Sequence, residues 1–376
     1  MGLPDRTKRS NSDRAGWRDE EALQPAFKTN VGAVWFLVLV FFALVLPKII
    51  TSTELISRRH SYEMLPEKLG GYSFMTDEVF NKKEELDILF IGSSIIWNGV
   101  DTPQVQQALS DHLGRQARTV TFGYSFNSFD ISYSLLRDLL ERRRVRLVVL
   151  SIPRLTYPEG PSATAFKFLR YDENPEIVAG LPLEGKISLY ACSVLRSPRD
   201  LLTIARPNSP VESPYADTFG AFKREEGVGA NPLTFERFAP QAPRLPATDL
   251  IYSDSTKDLF KFSNTRIPAH QDYYLERVVE LLRENGVPFA ILNVPQYSER
   301  RHDKVIELEN WQERFGADIP LMGISPTTLF AGLSDKEVEK LHSDHEHFNL
   351  NGCEFYTDAI LPAILEVYSN HAKKSF

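Results

Sequence analysis

A serine-rich motif, Gly92-Ser93-Ser94, ends an apolar stretch that runs from Asp87 to Ile91. The β-branched and aromatic residues of that stretch predict a buried strand, and Gly92 lets the chain turn sharply after it. In α/β proteins, ligands bind at the carboxyl ends of the parallel strands. A serine there can attack an acyl carbon if a histidine takes its proton and a carboxylate orients the histidine. Taken alone, the motif favours an ordinary turn, because glycine and serine are common turn residues.

Two residues near the carboxyl terminus, Asp344 and His347, have the chemistry that such a serine requires. They lie three positions apart in a predicted loop, directly before a predicted helix over 353–368. A neutral imidazole accepts the hydroxyl proton and returns it to the leaving group, while a carboxylate fixes the imidazole tautomer. Ser94, His347 and Asp344 are therefore the candidate nucleophile, base and orienting acid.

The same segment also contains His342, His345 and Glu346, so a metal site is an alternative interpretation. The His-Glu-x-x-His spacing of zinc enzymes is absent, and the two cysteines, Cys192 and Cys353, have no Cys-x-x-Cys partner. The spacing therefore favours acid and base chemistry, with no metal and no cofactor. We expect the cysteines to be two buried thiols. A single disulfide between them is the alternative if this part of the chain lies outside the cytosol.

The sequence between the two motifs alternates strand-like and helix-like patterns. The predicted strands cover 87–91, 118–122, 145–152, 288–294 and 320–324. The predicted helices cover 103–113, 128–144, 269–285, 298–315, 334–341 and 353–368, and Thr102 is the expected cap of the first. Such alternation predicts an α/β fold with a parallel central sheet.

Twelve prolines interrupt this pattern between about 155 and 267. A loop of this length without internal structure is unusual, so we expect short helices within it, one of them beginning at Ser197. The segment is therefore interpreted as an insertion that forms a lid or a polymer-binding face.

The amino-terminal part has three segments of different composition. Residues 1–30 are polar and carry charges of both signs, which predicts a flexible tail. Residues 31–50 are apolar apart from Lys48, and about 20 helical residues match a hydrocarbon core of roughly 30 Å, so we expect a transmembrane helix. Residues 51–85 are a predicted linker and entry helix, and residues 86–376 are the predicted folded domain.

The apolar segment is longer than the core of a usual signal peptide and has no small-residue cleavage site after it, so a retained anchor is favoured. Six lysines and arginines precede it, which favours a cytoplasmic amino terminus and a periplasmic or extracellular domain. The membrane is thus an expected partner. Nucleic acid is not, because a net charge of −7 gives no general basic surface.

Two sequence blocks together give the chain a family resemblance. Phe90-Ile91-Gly92-Ser93-Ser94 and Asp344-x-x-His347-Phe348-Asn349-x-x-Gly352 resemble the SGNH (GDSL-like) hydrolase superfamily. The similarity is to membrane-anchored members that have Gly-Ser-Ser in place of Gly-Asp-Ser and act in the O-acylation of cell-envelope polymers. It implies the SGNH-like three-layer α/β fold over 86–154 and 270–368.

The resemblance implies a role for each residue of these blocks. Ser94 matches the family's nucleophile, His347 its base and Asp344 the acid that orients the base. Gly123 matches the glycine whose amide forms the oxyanion hole together with the amide of Ser94. Each such donor would lower the barrier by a few kcal/mol.

The third block of the family, Gly-x-Asn-Asp, is absent from this chain, and Ser151-Ile152-Pro153-Arg154 stands in its place. That block supplies a side-chain donor to the oxyanion in the family. Asn127 and Arg154 are the residues that we consider as substitutes.

The resemblance implies a membrane-anchored serine O-acyltransferase or esterase. It would move an acyl group, with acetyl expected, on or off a cell-envelope or secreted polysaccharide through an acyl-Ser94 intermediate. The implied partners are this polysaccharide or acylated glycan and a multi-pass membrane protein that donates the acyl group. The alternative is a catalytically silent polysaccharide-binding or assembly subunit of an export or acylation machinery.

Overall fold

A computed structural model describes residues 29–53, 55–65, 71–125, 128–151, 160–161, 165, 168, 175–205, 237–251, 267–301, 314, 316 and 318–371. The predicted amino-terminal tail lies almost entirely outside these residues. Large parts of the proline-rich insertion and of the helix predicted over 298–315 also lie outside them.

Five parallel strands form the sheet, which confirms the predicted α/β class. They are β1 (Leu86–Ser93), β2 (Thr119–Tyr124), β3 (Val145–Ser151), β4 (Phe289–Leu292) and β5 (Leu321–Met322). Their order across the sheet is β2-β1-β3-β4-β5. The strands are rich in β-branched and large apolar residues and are buried almost throughout, as expected for a parallel sheet covered on both faces.

The described helices surround this sheet. They are α1 (Asn30–Ser52), α2 (Arg58–Glu63), α3 (Tyr72–Phe80), α4 (Ser94–Gly99), α5 (Thr102–Leu113), α6 (Phe129–Leu140), α7 (Pro175–Gly180), α8 (Leu183–Leu189), α9 (Ser197–Ala205), α10 (Ala247–Leu250), α11 (Ala269–Glu284), α12 (Pro326–Leu329), α13 (Asp335–Glu339) and α14 (Leu350–His371). A π-helical segment, Tyr190–Leu195, connects α8 to α9.

Each face of the sheet has its own apolar core. On one face, α3, α6 and α11 contribute residues such as Met75, Leu135 and Val278. On the other face, α5 and α14 contribute residues such as Leu109 and Ile360. The helices therefore form layers above and below the strands, and burial of these two interfaces supplies most of the apolar stabilisation.

The strand order places a topological switch point beside β1. From β1 the chain continues to β2 on one side of it and then returns to β3 on the other side. In open α/β sheets the connections on the two sides of such a point diverge, and ligands bind in the crevice beyond the carboxyl ends of the strands. Ser94 immediately follows β1, so the fold brings it to the edge of this crevice.

Three details differ from the sequence-based expectations. Asp101, not Thr102, caps α5, because its carboxylate accepts a hydrogen bond of 3.0 Å from the backbone N–H of Gln104. The chain does not turn at Gly92, because β1 continues to Ser93 and the short helix α4 begins at Ser94. The two cysteines are free thiols, with Cys353 buried but Cys192 only half-buried.

The amino-terminal helix α1 is long and apolar enough to cross a membrane, with a mean hydropathy of 2.6 in its most apolar window. Its large apolar side chains are mostly exposed in the isolated chain, unlike those of a core helix. Helix α9 begins at Ser197, as predicted for the proline-rich insertion.

Candidate active site

Ser94 is positioned by the junction of β1 and α4. Its neighbour Ser93 is the last residue of β1 and the cap of α4, and the Ser93 hydroxyl accepts a hydrogen bond of 3.4 Å from the backbone N–H of Ile95. Ser93 is buried and thus occupied by this structural contact, whereas Ser94 is half-buried. The junction therefore presents the second serine, rather than the first, to the crevice.

Three side chains form a continuous series of hydrogen bonds at this edge of the sheet. The Ser94 Oγ lies 2.7 Å from His347 Nε2. On the other side of the imidazole, His347 Nδ1 lies 2.8 Å from Asp344 Oδ2 and 3.0 Å from Asp344 Oδ1. Because the carboxylate can only accept, Nδ1 carries the proton, and the Nε2 lone pair accepts from the serine hydroxyl. This is the arrangement in which a histidine can activate a serine.

Asp344 is held in its ionised form. Burial opposes ionisation, but hydrogen bonds from the His347 imidazole and from the backbone N–H groups of Glu346 and His347 outweigh it. Together they hold the pKa of Asp344 well below its usual range. Asp344 therefore remains a negative acceptor for the imidazole at any pH at which the protein is expected to work.

The loop that carries Asp344 and His347 is closed by Asn349. The backbone N–H of Asn349 donates to the Leu341 carbonyl at 3.0 Å, and its side-chain amide donates to the carbonyls of Lys340 and His342. Its side-chain oxygen accepts from the backbone N–H of Gly352 at 3.1 Å, in the first turn of α14. One buried side chain thus joins both ends of the loop to the helix that follows.

His342 has a structural position next to the series rather than within it. Its Nδ1–H donates to the Val338 carbonyl at 2.8 Å, and its ring lies 4.5 Å from the Phe348 ring between centroids. Burial lowers the pKa of His342 to about 4, so the ring is neutral near pH 7. The two rings are tilted by 34° relative to each other, and a backbone bridge between the same two residues closes the loop that carries Asp344 and His347.

His345 and Glu346, the other residues of the alternative metal interpretation, are exposed on the same loop. The His345 ring lies beside the Tyr297 ring, with 5.8 Å between their centroids. Within the described part of the chain, no group of three His, Cys, Asp or Glu side chains has an arrangement that could hold a metal ion.

Gly123 lies inside β2, rather than in a loop after it, because the β1 and β2 ladder continues to the Ser93 and Tyr124 pair. It pairs with Gly92, two residues before Ser94. A Cβ atom at Gly123 would lie 2.3 Å from Trp97 Cβ, so close packing of α4 on β2 requires glycine here. Asn127 and Arg154, the two other candidate donors, lie outside the described residues.

Sequence reasoning missed several buried polar side chains near the carboxyl edge of the sheet. Asn98 lies four residues after Ser94, Ser151 ends β3, and Asn293 directly follows β4. Each is at least nine-tenths buried, and the Asn98 Oδ1, the Ser151 Oγ and both amide atoms of Asn293 have no hydrogen-bond partner among the described residues. Asparagine and serine are common in loops, so their residue types alone do not indicate such positions.

The fold and the site define an α/β protein with a Ser-His-Asp series of hydrogen bonds at the switch point of a parallel sheet. Comparisons with known proteins add no relative, because no family model, no curated protein and no solved structure matches the chain.

Proposed function

We propose that the protein is a serine-dependent acyl-transferring enzyme, an O-acyltransferase or esterase, in which Ser94 carries the acyl group. The observation that supports this most directly is the hydrogen-bond series from Ser94 through His347 to the ionised Asp344. A purely structural hydrogen-bond network would not need its hydroxyl half-buried at the switch point of the sheet, where ligands bind in this class of fold.

The proposed reaction has two balanced steps. In the first, the Ser94 Oγ attacks the acyl carbonyl carbon, its proton moves to His347 Nε2, and the bond from acyl carbon to the donor oxygen breaks. The leaving oxygen takes the proton from the imidazolium, which Asp344 stabilises. In the second, a glycan hydroxyl or water attacks acyl-Ser94, gives its proton to His347, and returns the serine hydroxyl. The enzyme is a transferase if a glycan hydroxyl is the acceptor, and it is an esterase if water is the acceptor.

The backbone amides of Ser94 and Gly123 are the proposed oxyanion donors, by similarity to the SGNH superfamily. The same similarity supports a cell-envelope or secreted polysaccharide as the substrate and acetyl as the acyl group. Helix α1 supports a membrane-anchored enzyme, because its length and apolar surface suit a single span. We propose that residues 1–30 lie on the cytoplasmic side and the folded domain on the outer side, where a multi-pass membrane protein would supply acyl groups.

A short activated acetyl ester tests the proposal on the purified full-length chain. We expect mass spectrometry to find one acetyl group on Ser94, and we expect Ser94→Ala to lose it. Ser93→Ala is the matched control, because it removes the adjacent hydroxyl and must leave an acetyl group on Ser94. Addition of a chelator should not change the yield.

Two outcomes would contradict the proposal. One is equal acetylation of the native chain and Ser94→Ala, which would mean adventitious labelling. The other is a folded native protein that never forms the adduct, together with unchanged glycan acetylation in cells that carry Ser94→Ala. That pair of results would favour the silent polysaccharide-binding or assembly subunit.

A further inference from the structure

Large exposed apolar side chains are confined to two segments of the described chain. The first runs from Val31 to Leu55 and is essentially α1; the second runs from Val178 to Leu202. Contiguous exposed apolar surface on a protein marks a contact with another apolar phase or partner. The second segment belongs to the proline-rich insertion and has no part in the proposed chemistry.

The second segment is one helical run. Helix α8 continues directly into the π-helical segment, and a single turn residue with right-handed helical dihedral angles, Arg196, joins that segment to α9. We call this run the insertion helix. Ile187 follows Leu183 by four residues and Leu202 follows Leu195 by seven, which are spacings that place each pair on one face. Leu183 is 74% and Leu202 67% exposed.

The insertion helix lies against α1. Its π-helical segment and α9 both pack on α1, and the Tyr190 hydroxyl donates a hydrogen bond of 3.1 Å to the Leu44 carbonyl. Pro47, three residues further along α1, has no backbone N–H and disturbs helical hydrogen bonding in the preceding turn. The carbonyl that loses its helical donor is that of Ala43, four residues before the proline, and the Leu44 carbonyl that Tyr190 contacts is the next one along the helix.

The position of Leu44 in α1 indicates how deep in the bilayer this contact would lie. Leu44 precedes Lys48, the first charged residue after the apolar stretch, by four residues, or about 6 Å of helix. If the hydrocarbon core ends near Lys48, the Tyr190 hydroxyl lies roughly 6 Å inside it. Helices that lie in the membrane interface bury their apolar face by about 5–10 Å, so the depth fits that class.

The charges of the insertion helix suit the same position. Lys186 is half-buried, and Arg196 and Arg199 are exposed. Lysine and arginine beside an apolar stripe extend their charged ends towards lipid headgroups while their stems remain in the apolar layer. A soluble protein partner would not account for the packing of this apolar helix on α1.

We propose that Leu183–Ala205 is a second membrane element, an amphipathic helix embedded in the outer interface of the bilayer beside α1. This rests on the proposal that α1 spans the membrane, and it is independent of the chemistry at Ser94. The exposed apolar side chains of the insertion helix, which are Leu183, Ile187, Leu195 and Leu202, would contact the acyl chains of the lipid. Two contacts with the bilayer, rather than one flexible tether, would fix the orientation of the folded domain relative to the membrane surface.

Site-directed spin labelling of the full-length protein tests this. The native thiols are removed by Cys192→Ser and Cys353→Ala, and single cysteines are introduced as Ile187→Cys and Leu202→Cys. The protein is reconstituted into vesicles of phosphatidylethanolamine and phosphatidylglycerol. Collision of each label with oxygen, which concentrates in the bilayer, is compared with collision with a water-soluble nickel chelate. Phe41→Cys in α1 and Ala331→Cys, which is exposed on the folded domain, are the controls.

We expect labels at Ile187 and Leu202 to favour oxygen, as the label at Phe41 does, and the label at Ala331 to favour nickel. Nickel access at Ile187 and Leu202 with oxygen access at Phe41 would overturn the inference while leaving the α1 span intact. Nickel access at Phe41 would overturn the span as well. A third outcome would also overturn the inference. The labels at Ile187 and Leu202 would then be protected from both reagents and would show spin–spin coupling that decreases when unlabelled protein is added, which would mean that a second copy of the chain covers this surface.

Discussion

Ser94 and His347 lie 253 positions apart in the sequence, yet their side chains form a hydrogen bond of 2.7 Å. Ser94 begins α4 directly after β1, and His347 lies in the loop before α14. Helix α14 packs against both α4 and α5, which holds that loop over the end of β1. The pairing is therefore set by the packing of three helices, and it is lost when any of them moves.

Replacement of Asp344 by asparagine should separate geometry from charge. Asp344→Asn keeps the size of the side chain but allows the His347 imidazole to bind it through the wrong tautomer, so that Nε2 no longer accepts from Ser94. We expect kcat for ester cleavage to fall by roughly 10³-fold to 10⁴-fold. Glu346→Gln is the matched control, because this neighbouring exposed carboxylate makes no contact with the imidazole among the described residues, and it should retain activity. Equal loss in both variants would contradict the assignment.

Asn349 is expected to act as a positioning residue. Asn349→Asp keeps the acceptor that caps Gly352 but removes the two donors to the carbonyls of Lys340 and His342. The Lys340 carbonyl keeps a donor in the Asn351 side-chain amide at 3.2 Å, whereas the His342 carbonyl loses the Asn349 amide. An unpaired buried acceptor costs about 1–3 kcal/mol, so we expect the free energy of unfolding to fall by that amount. Because the loop loosens, kcat should fall while KM changes little. A lower stability with unchanged kcat would show a purely structural role.

The buried His342 should make the protein less stable in acid. Its pKa is about 4 in the folded state, below the ordinary value of 6.5, because burial disfavours the charged ring. The unfolded chain therefore binds the proton first. Stability from this group is complete above pH 6.5, decreases as the pH falls towards 4, and then levels off. At 1.36 kcal/mol per pKa unit the loss is about 3 kcal/mol. The pKa of Asp344 is also lowered in the folded state. This group therefore reduces the free energy of unfolding further only below about pH 3.9, which is its pKa in the unfolded chain.

Chemical denaturation at pH values near 7 and near 4 measures this effect. His342→Phe retains an aromatic ring against Phe348 but cannot titrate, so its stability should change less between the two pH values than that of the native protein. His345→Gln, at an exposed histidine of the same loop, is the control and should behave like the native chain. Parallel curves for the native protein and His342→Phe would contradict the prediction.

The two ends of the candidate site were predictable only as a pair, because Gly-Ser-Ser alone favours a turn, whereas a histidine and a carboxylate elsewhere in the chain complete the set that a nucleophilic serine requires. An apolar strand followed by Gly-Ser-Ser, and Asp344 three residues before His347, are visible without any knowledge of the fold. The strands β1 and β3 were also predictable, because buried parallel strands are continuous apolar runs. Distances between the blocks depend on the packing of α14, which no local pattern encodes.

The oxyanion side of the site was less predictable for two physical reasons. Helix α4 is buried on nearly every side, so Ile95, Ile96 and Trp97 show no polar face from which a helical period could be recognised. Gly123 resembles a turn residue in the sequence, but the close approach of Trp97 places it within β2. The start of α9 at Ser197 was predictable, but the exposed apolar face of the insertion helix was not, because its π-helical segment shifts the helical phase between α8 and α9.

Asn293 offers a test of whether the missed polar residues serve substrate binding. Its side chain is fully buried, and neither amide atom has a partner among the described residues, although its backbone is fixed by bonds to Met322 and Tyr356. It directly follows β4, which is two strands from β1, or about 10 Å at the usual spacing. A disaccharide bound at Ser94, rather than a single sugar ring, would extend over such a distance.

Asn293→Leu replaces the unsatisfied amide by an apolar group of similar size. We expect the free energy of unfolding to rise by about 1–3 kcal/mol, because an unpaired buried amide costs that much. Cleavage of a glycan ester should fall through a higher KM, while cleavage of a short activated ester should not change. Asn285→Leu, at an exposed amide bonded to the Leu281 carbonyl, is the control and should alter stability by no more than about 0.5 kcal/mol. A gain in stability with no effect on the glycan ester would show that Asn293 is a tolerated defect of the fold rather than a substrate contact.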